Sequence, residues 1–190
     1  MVPHWPASMG VRELSRLWKG ETVGEHRASI EWDRAGEDFA DNRYSRGHRW
    51  RFDGGIDVPA SSSPKVIAPP MSVEAAVDPE EAFVASLASC HMLWFLALAQ
   101  KQGLVVDHYS DDAVGKLAMN ADRKMAMTQV TLRPLVSFAG SSQPGDATVI
   151  ALHHKAHAQC YIANSVTTQI LCEPLDAAGT LLDSNNGDAP

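Results

Sequence analysis

Apolar residues fill almost every position of residues 78–100, DPEEAFVASLASCHMLWFLALAQ, instead of keeping to one stripe, and this pattern predicts a long helix covered on all sides. Its ends are marked by Asp78 as N-cap, Pro79 at the first helical position, Glu81 three residues after the cap, and Gly103 just past the last turn. Upstream, HRASIEWD at 26–33 alternates as a strand does, and HRWRFDGGIDVPAS at 48–61 reads as a hairpin turning at Asp53 and Gly54. SSSPKVIAPP, 61–70, is loop by composition. Downstream, two strand-like runs between Val105 and Ala139, with a turn near Asn120 to Asp122, predict one long hairpin whose second arm is MTQVTLRPLVSF. A second helix is expected from Asp146 to about Asn164, and TTQILCEP is a closing strand. Strands before and after two helices argue for an α+β fold, curved antiparallel sheets around a long central apolar helix. One domain of this size covers one side of such a helix. The other side is expected to meet a second copy, with Ala85, Ser86, Ala88 and Ser89 permitting close approach in a homodimer.

Composition narrows the picture. The 190 residues, 45% hydrophobic and 21% charged, suit a single globular domain, here 23–175, with 1–22 as a loosely ordered extension, 176–190 as a flexible tail, and Met9 as an alternative first residue. A net charge of −7, from 23 acidic and 16 basic residues, provides no field for nucleic acid or an anionic membrane. The N-terminus has no apolar run of signal-peptide length. The central helix is interrupted by Cys90 and His91, so no segment is expected to span a bilayer, and the expected compartment is the cytosol. Three cysteines, Cys90, Cys160 and Cys172, form neither a CxxC pair nor an even framework, so each thiol must be judged by its neighbours.

Two of them have informative surroundings. Cys90 ends DPEEAFVASLASC. Cys160 lies 70 residues later in AHAQC, followed by YIANS. With YSRGHRWRFDGG at 44–55 and ASSSP at 60–64, these stretches resemble the OsmC/Ohr superfamily of hydroperoxide reductases from about His26 to Pro174. The resemblance implies the OsmC-like fold, an intertwined homodimer, Cys90 as peroxidatic residue and Cys160 as resolving residue. It also implies Glu80 paired with an arginine, for which Arg46 corresponds best and Arg43 and Arg49 are rivals. The implied substrate is an organic hydroperoxide, with hydrogen peroxide as a second candidate, and the implied reductant is an external dithiol; no cofactor or metal is called for.

The chemistry agrees with the residues taken alone. A thiolate attacks the O–O bond and becomes a sulfenic acid, and a second thiol condenses with it before irreversible oxidation. Cys90 stands about twelve residues from the N-cap, where the helix dipole no longer reaches. Glu80 and Cys90, ten residues apart, are separated by roughly 15 Å along one helix. If two copies pair antiparallel about Ala85, Glu80 of one chain falls beside Cys90 of the other. A carboxylate alone raises a thiol's pKa, so Glu80 must act by orienting an arginine. Phe83, Leu87, Met92, Trp94 and Phe95 are either core or the lining for an organic tail. Cys172 reads as core. The competing reading is a metal held by His153, His157 and Cys160, at i, i+4 and i+7 of the second helix, together with Cys90, or a non-catalytic ligand-binding dimer.

Overall fold

The structure, a computed structural model, describes residues 24–140 and 143–183. The segments 1–22 and 184–190, expected to be loosely ordered, lie outside them. In chain order, β1 (Ala28–Glu31), β2 (His48–Phe52) and β3 (Asp57–Ala60) form one antiparallel sheet, with β2 central. Asp53 and Gly54 lie in the turn between β2 and β3, closed by Phe52 N–H donating to Ile56 O. Next comes α1, Pro79–Lys101, bounded as its sequence predicts. Asp78 Oδ1 accepts from Glu81 N–H at 2.7 Å, Glu81 Oε2 accepts from Asp78 N–H at 3.3 Å, and the chain leaves the helix through Gly103 at φ +75°, a conformation that favours glycine.

The long hairpin is present but broken into two sheets. Its outer halves, β4 (Val106–Asp111) and β7 (Pro134–Phe138), pair with each other, while its inner halves, β5 (Val114–Met119) and β6 (Met125–Leu132), join β8 (Gln169–Cys172), which runs parallel to β6. The break has a local cause. Pro134 has no N–H for the ladder, and Arg133 N–H turns aside to the Asp111 carboxylate at 2.7 Å.

The second helix, α2, spans Asp146–Gln159 and is shorter than expected. Cys160 is its C-cap, with extended ψ 113°, and a 3-10 turn at Ala163–Ser165 follows. Residues 176–183, expected to belong to a flexible tail, are anchored in part: Asp176 O accepts from the Gly179 N–H, the Asp176 N–H donates to Thr180 O, Leu182 N–H donates to Pro174 O, and the Leu182 side chain packs on the core.

Two cores meet along α1. Leu87, near its N-terminal half, packs with Val130 and Leu132 of β6, whereas Phe95 and Ala99 pack with Val149, Leu152 and Ala156 of α2. Contact with β5 is close enough to require glycine at 115: a Cβ there would lie 2.6 Å from Val84 Cγ2 and 2.3 Å from Met127 Cε. The opposite stripe of α1, Ala85, Ser86, Ser89, Leu93 and Ala97, is exposed in the single chain. The 23-residue α1 contains an 18-residue stretch with a mean hydropathy of 1.8 and is long and apolar enough to cross a membrane, which corrects the expectation that no segment is. Length and hydropathy do not separate a span from a core helix, and α1 supplies residues to both cores.

Candidate active site

Cys90 projects from the middle of α1 and is half-buried, while Cys160, at the end of α2, is buried. The α1–α2 packing brings their thiols within hydrogen-bonding reach of each other. Because α2 stops at Gln159, Cys160 turns off the helix axis, and its Sγ accepts from the Ala163 N–H at 3.4 Å. Burial is the main influence on this thiol. Together with the hydrogen bond to Cys90 it outweighs the backbone donors and pushes Cys160 up to about 11. Cys160 is therefore a neutral thiol near pH 7, suited to condense with an oxidised neighbour more than to open the attack. Beside this pair the Trp94 and Tyr161 rings meet edge to face, centroids 5.4 Å apart.

The other expected participants are distributed differently. Glu80 lies in the first turn of α1, half-buried. Arg46 is engaged in its own loop. Its guanidinium donates to Asn42 Oδ1 at 2.7 Å and to the Tyr44 carbonyl, and lies 3.9 Å from the Tyr44 ring centroid. Arg49 pairs with Asp57 at 2.7 Å. Within the single chain, the described residues show neither arginine bonded to Glu80 or Cys90. Of the apolar residues considered as lining, Leu87 and Phe95 are core, with Phe83, Met92 and Trp94 only half-buried.

The metal set suggested by helical spacing is not assembled. His157 is exposed, and Cys160 has left the helix face that carries His153. A different group gathers instead. His91 and His153 are both fully buried, with His91 Nε2 3.0 Å from His153 Nδ1, and Cys172 Sγ lies 3.8 Å from His91 Nε2. Burial holds both imidazoles neutral, His91 down to about 4 and His153 to about 3. It also pushes Cys172 up to about 12, aided by the charge of Asp111. This grouping escaped the sequence reading, although one signal was available: His91 falls on the Leu87–Phe95 stripe, and His153 follows Val149 by one turn.

Comparisons with known proteins give the family and the fold. The family model for OsmC-like protein matches residues 72–174, more than half of the chain. The chain belongs to the OsmC-like family. An OsmC-like protein of unknown function from Vibrio cholerae is 51% identical, with a TM-score of 0.79 over 80% of this chain and 100% of that one. Two more distant structures share the fold. One is an organic hydroperoxide resistance protein OsmC from Legionella pneumophila (15% identity, TM-score 0.60, 82% and 98% of the chains). The other is the organic hydroperoxide resistance protein OhrB of Bacillus subtilis (16%, 0.59, 80% and 99%). A search of the curated proteins finds no match.

Proposed function

We propose that this OsmC-like protein is a thiol-dependent peroxidase of organic hydroperoxides. The observation that carries the reading is the adjacency of a half-buried Cys90 and a buried, protonated Cys160 on two separate helices. The names of the Legionella and Bacillus neighbours point the same way. In the cycle, the Cys90 thiolate attacks one peroxide oxygen, the O–O bond breaks, and the alkoxide leaves and takes a proton to become the alcohol. Cys90 is then a sulfenic acid. Cys160 attacks its sulfur, water departs, and the resulting disulfide is reduced by an external dithiol that itself becomes a disulfide. A cycle of this kind belongs where reducing thiols are maintained, and the cytosol is the compartment that suits this reading.

The working unit in this reading is a homodimer. The exposed apolar stripe of α1 offers the contact, and antiparallel pairing near Ala85 sets Glu80 beside the partner's Cys90. Glu80 would orient an arginine, Arg46 foremost, whose charge favours the thiolate. Refolding Glu80→Ala and Cys90→Ser chains together tests the arrangement, since a mixed dimer regains one intact site and about half of the chains enter such dimers under random pairing.

The deciding measurement is peroxide consumption with hydrogen peroxide and a bulky alkyl hydroperoxide, each with lipoyl dithiol, a thioredoxin-like protein or a small thiol. Catalytic consumption of the alkyl substrate by the wild type and none by Cys90→Ser is expected. Equal activity in Cys90→Ser, or no consumption with any reductant, would overturn the proposal.

A further inference from the structure

A second side-chain cluster lies one residue along α1 from the peroxidatic position and plays no part in that cycle. His91 from α1, His153 from α2 and Cys172 from the end of β8 present Nε2, Nδ1 and Sγ within 4.8 Å of one another. We propose that these three atoms bind a tetrahedral divalent transition-metal ion of the zinc type.

Three observations carry the assignment. The first is distance. Zinc bonds of about 2.05 Å to nitrogen and 2.3 Å to sulfur, at a tetrahedral angle, put two nitrogens about 3.3 Å apart and a nitrogen about 3.6 Å from the sulfur. The observed separations are 3.0 Å for His91 Nε2 to His153 Nδ1 and 3.8 Å for His91 Nε2 to Cys172 Sγ.

The second is hydrogen bonding. With no ion, one facing nitrogen must donate to the other; the outer nitrogens, His91 Nδ1 and His153 Nε2, are buried with no protein partner and are left to the groups around the site. An ion accepts both facing lone pairs at once, so neither nitrogen has to carry a proton toward the other. The two outer nitrogens then both become N–H donors. Tyr109 OH and Asp111 Oδ2 are also buried and unpartnered, and the Tyr109 ring centroid is 6.4 Å from that of His153. They are the local oxygens available to a surrounding shell.

The third is charge. Binding releases the Cys172 proton, so a 2+ ion with one thiolate leaves one positive charge, and the Asp111 carboxylate, which acts electrostatically on Cys172, balances it. The remaining coordination position falls to water or to Asp111. A cavity of about 140 Å³ beside β7 and α2, lined in part by His153, Phe138 and Leu182, offers a path inward.

The test uses the full chain, stripped with a chelator and titrated anaerobically with Co²⁺ and then Zn²⁺. Wild type should take up one Co²⁺ per chain with a thiolate-to-cobalt charge-transfer band, and Zn²⁺ should displace it. The Cys90→Ser, Cys160→Ser double variant retains Cys172 as its sole thiol and should keep the band. His153→Gln should weaken binding at least tenfold. Absence of the band in wild type, its loss in the double variant, or unchanged affinity in His153→Gln would each overturn the site. None of these readouts depends on peroxide reduction, so failure here leaves the peroxidase proposal standing and the reverse also holds.

Discussion

Cys90 and His91 are consecutive residues on one helix, about 100° apart around its axis, and that rotation puts them in opposite surroundings. Cys90 is half-buried beside one partner thiol from the end of α2. His91 is 1% exposed and faces a histidine from the middle of α2 and a thiol from β8. In the proposed cycle the first pair alternates between reduced and bonded forms, with the half-buried Cys90 as the accessible thiol. The second is sealed between the two cores, holds its groups neutral, and leaves polar atoms without partners. One side of α1 thus carries the proposed redox pair, and the other the proposed ion site.

The largest separation between the sides should appear on oxidation. Cys160→Ser is expected to consume two equivalents of hydroperoxide per chain and then stop, the first converting Cys90 to the sulfenic acid and the second carrying it on to the sulfinic state because no neighbouring thiol traps the intermediate. Intact mass before and after peroxide reads this directly. Sustained turnover by Cys160→Ser with a dithiol would break the assignment of roles.

The buried side should respond to protons instead. An unfolded histidine titrates near 6.5, but burial holds His91 near 4 and His153 lower still. Between those values the unfolded chain binds more protons than the folded one, so stability falls as the pH drops, by at most about 1.4 kcal/mol per pH unit for each histidine. For His91 alone the loss down to pH 4 is on the order of 3 kcal/mol. At the other extreme, the Cys160 and Cys172 thiols ionise in the unfolded chain near 9 and in the folded one near 11 and 12, so stability also falls as the pH climbs past 9. Denaturant unfolding of chelator-treated protein from pH 4.5 to 10.5 measures both limbs. A flat profile between 6.5 and 4.5 would contradict the buried neutral pair.

What the sequence made legible differs between the same two sides. The ends of α1 follow from local signals, a capping box and a glycine, and the Cys90–Cys160 pair follows from two short motifs. The His91 cluster depends on contacts spanning 62 and 81 residues. Helical spacing pointed to His157 and Cys160 instead, because it cannot register that α2 ends at Gln159 and lets Cys160 turn away. Tertiary contacts likewise decided the division of the long hairpin: its arms follow from residue pattern, but the diversion of Arg133 N–H to Asp111 appears only once four strands are placed.

A smaller effect is expected where α1 rests on the sheet. In Gly115→Ala the Met127 end can swing away, but Val84 is stiff and fixed on the helix. The clash should cost about 1–3 kcal/mol, read as a lower unfolding midpoint. An unchanged midpoint would mean that the N-terminal half of α1 packs more loosely than the distances indicate.

The smallest expected effect separates the two halves of α1 themselves. Asp78 is 5% exposed, and its carboxylate holds the Glu81 N–H at 2.7 Å while Glu81 reaches back to the Asp78 N–H. Asp78→Ala removes the cap and leaves a first-turn donor unmet, a change worth about 1 kcal/mol, whereas Asp78→Asn keeps an accepting oxygen and should recover most of it. Fraying should stay within the first turn, since the far half of the helix is clamped by Phe95 and Ala99 against α2. The amides of Glu81 and Ala82 should therefore exchange faster in Asp78→Ala, with those around His91 and Phe95 unchanged. Glu80 sits in the frayed turn, so peroxide turnover should fall modestly while the proposed metal affinity stays the same. Equal acceleration of exchange along the whole helix would show that the two sides of α1 are not held independently, and the contrast between Cys90 and His91 would then reduce to one cooperative unit.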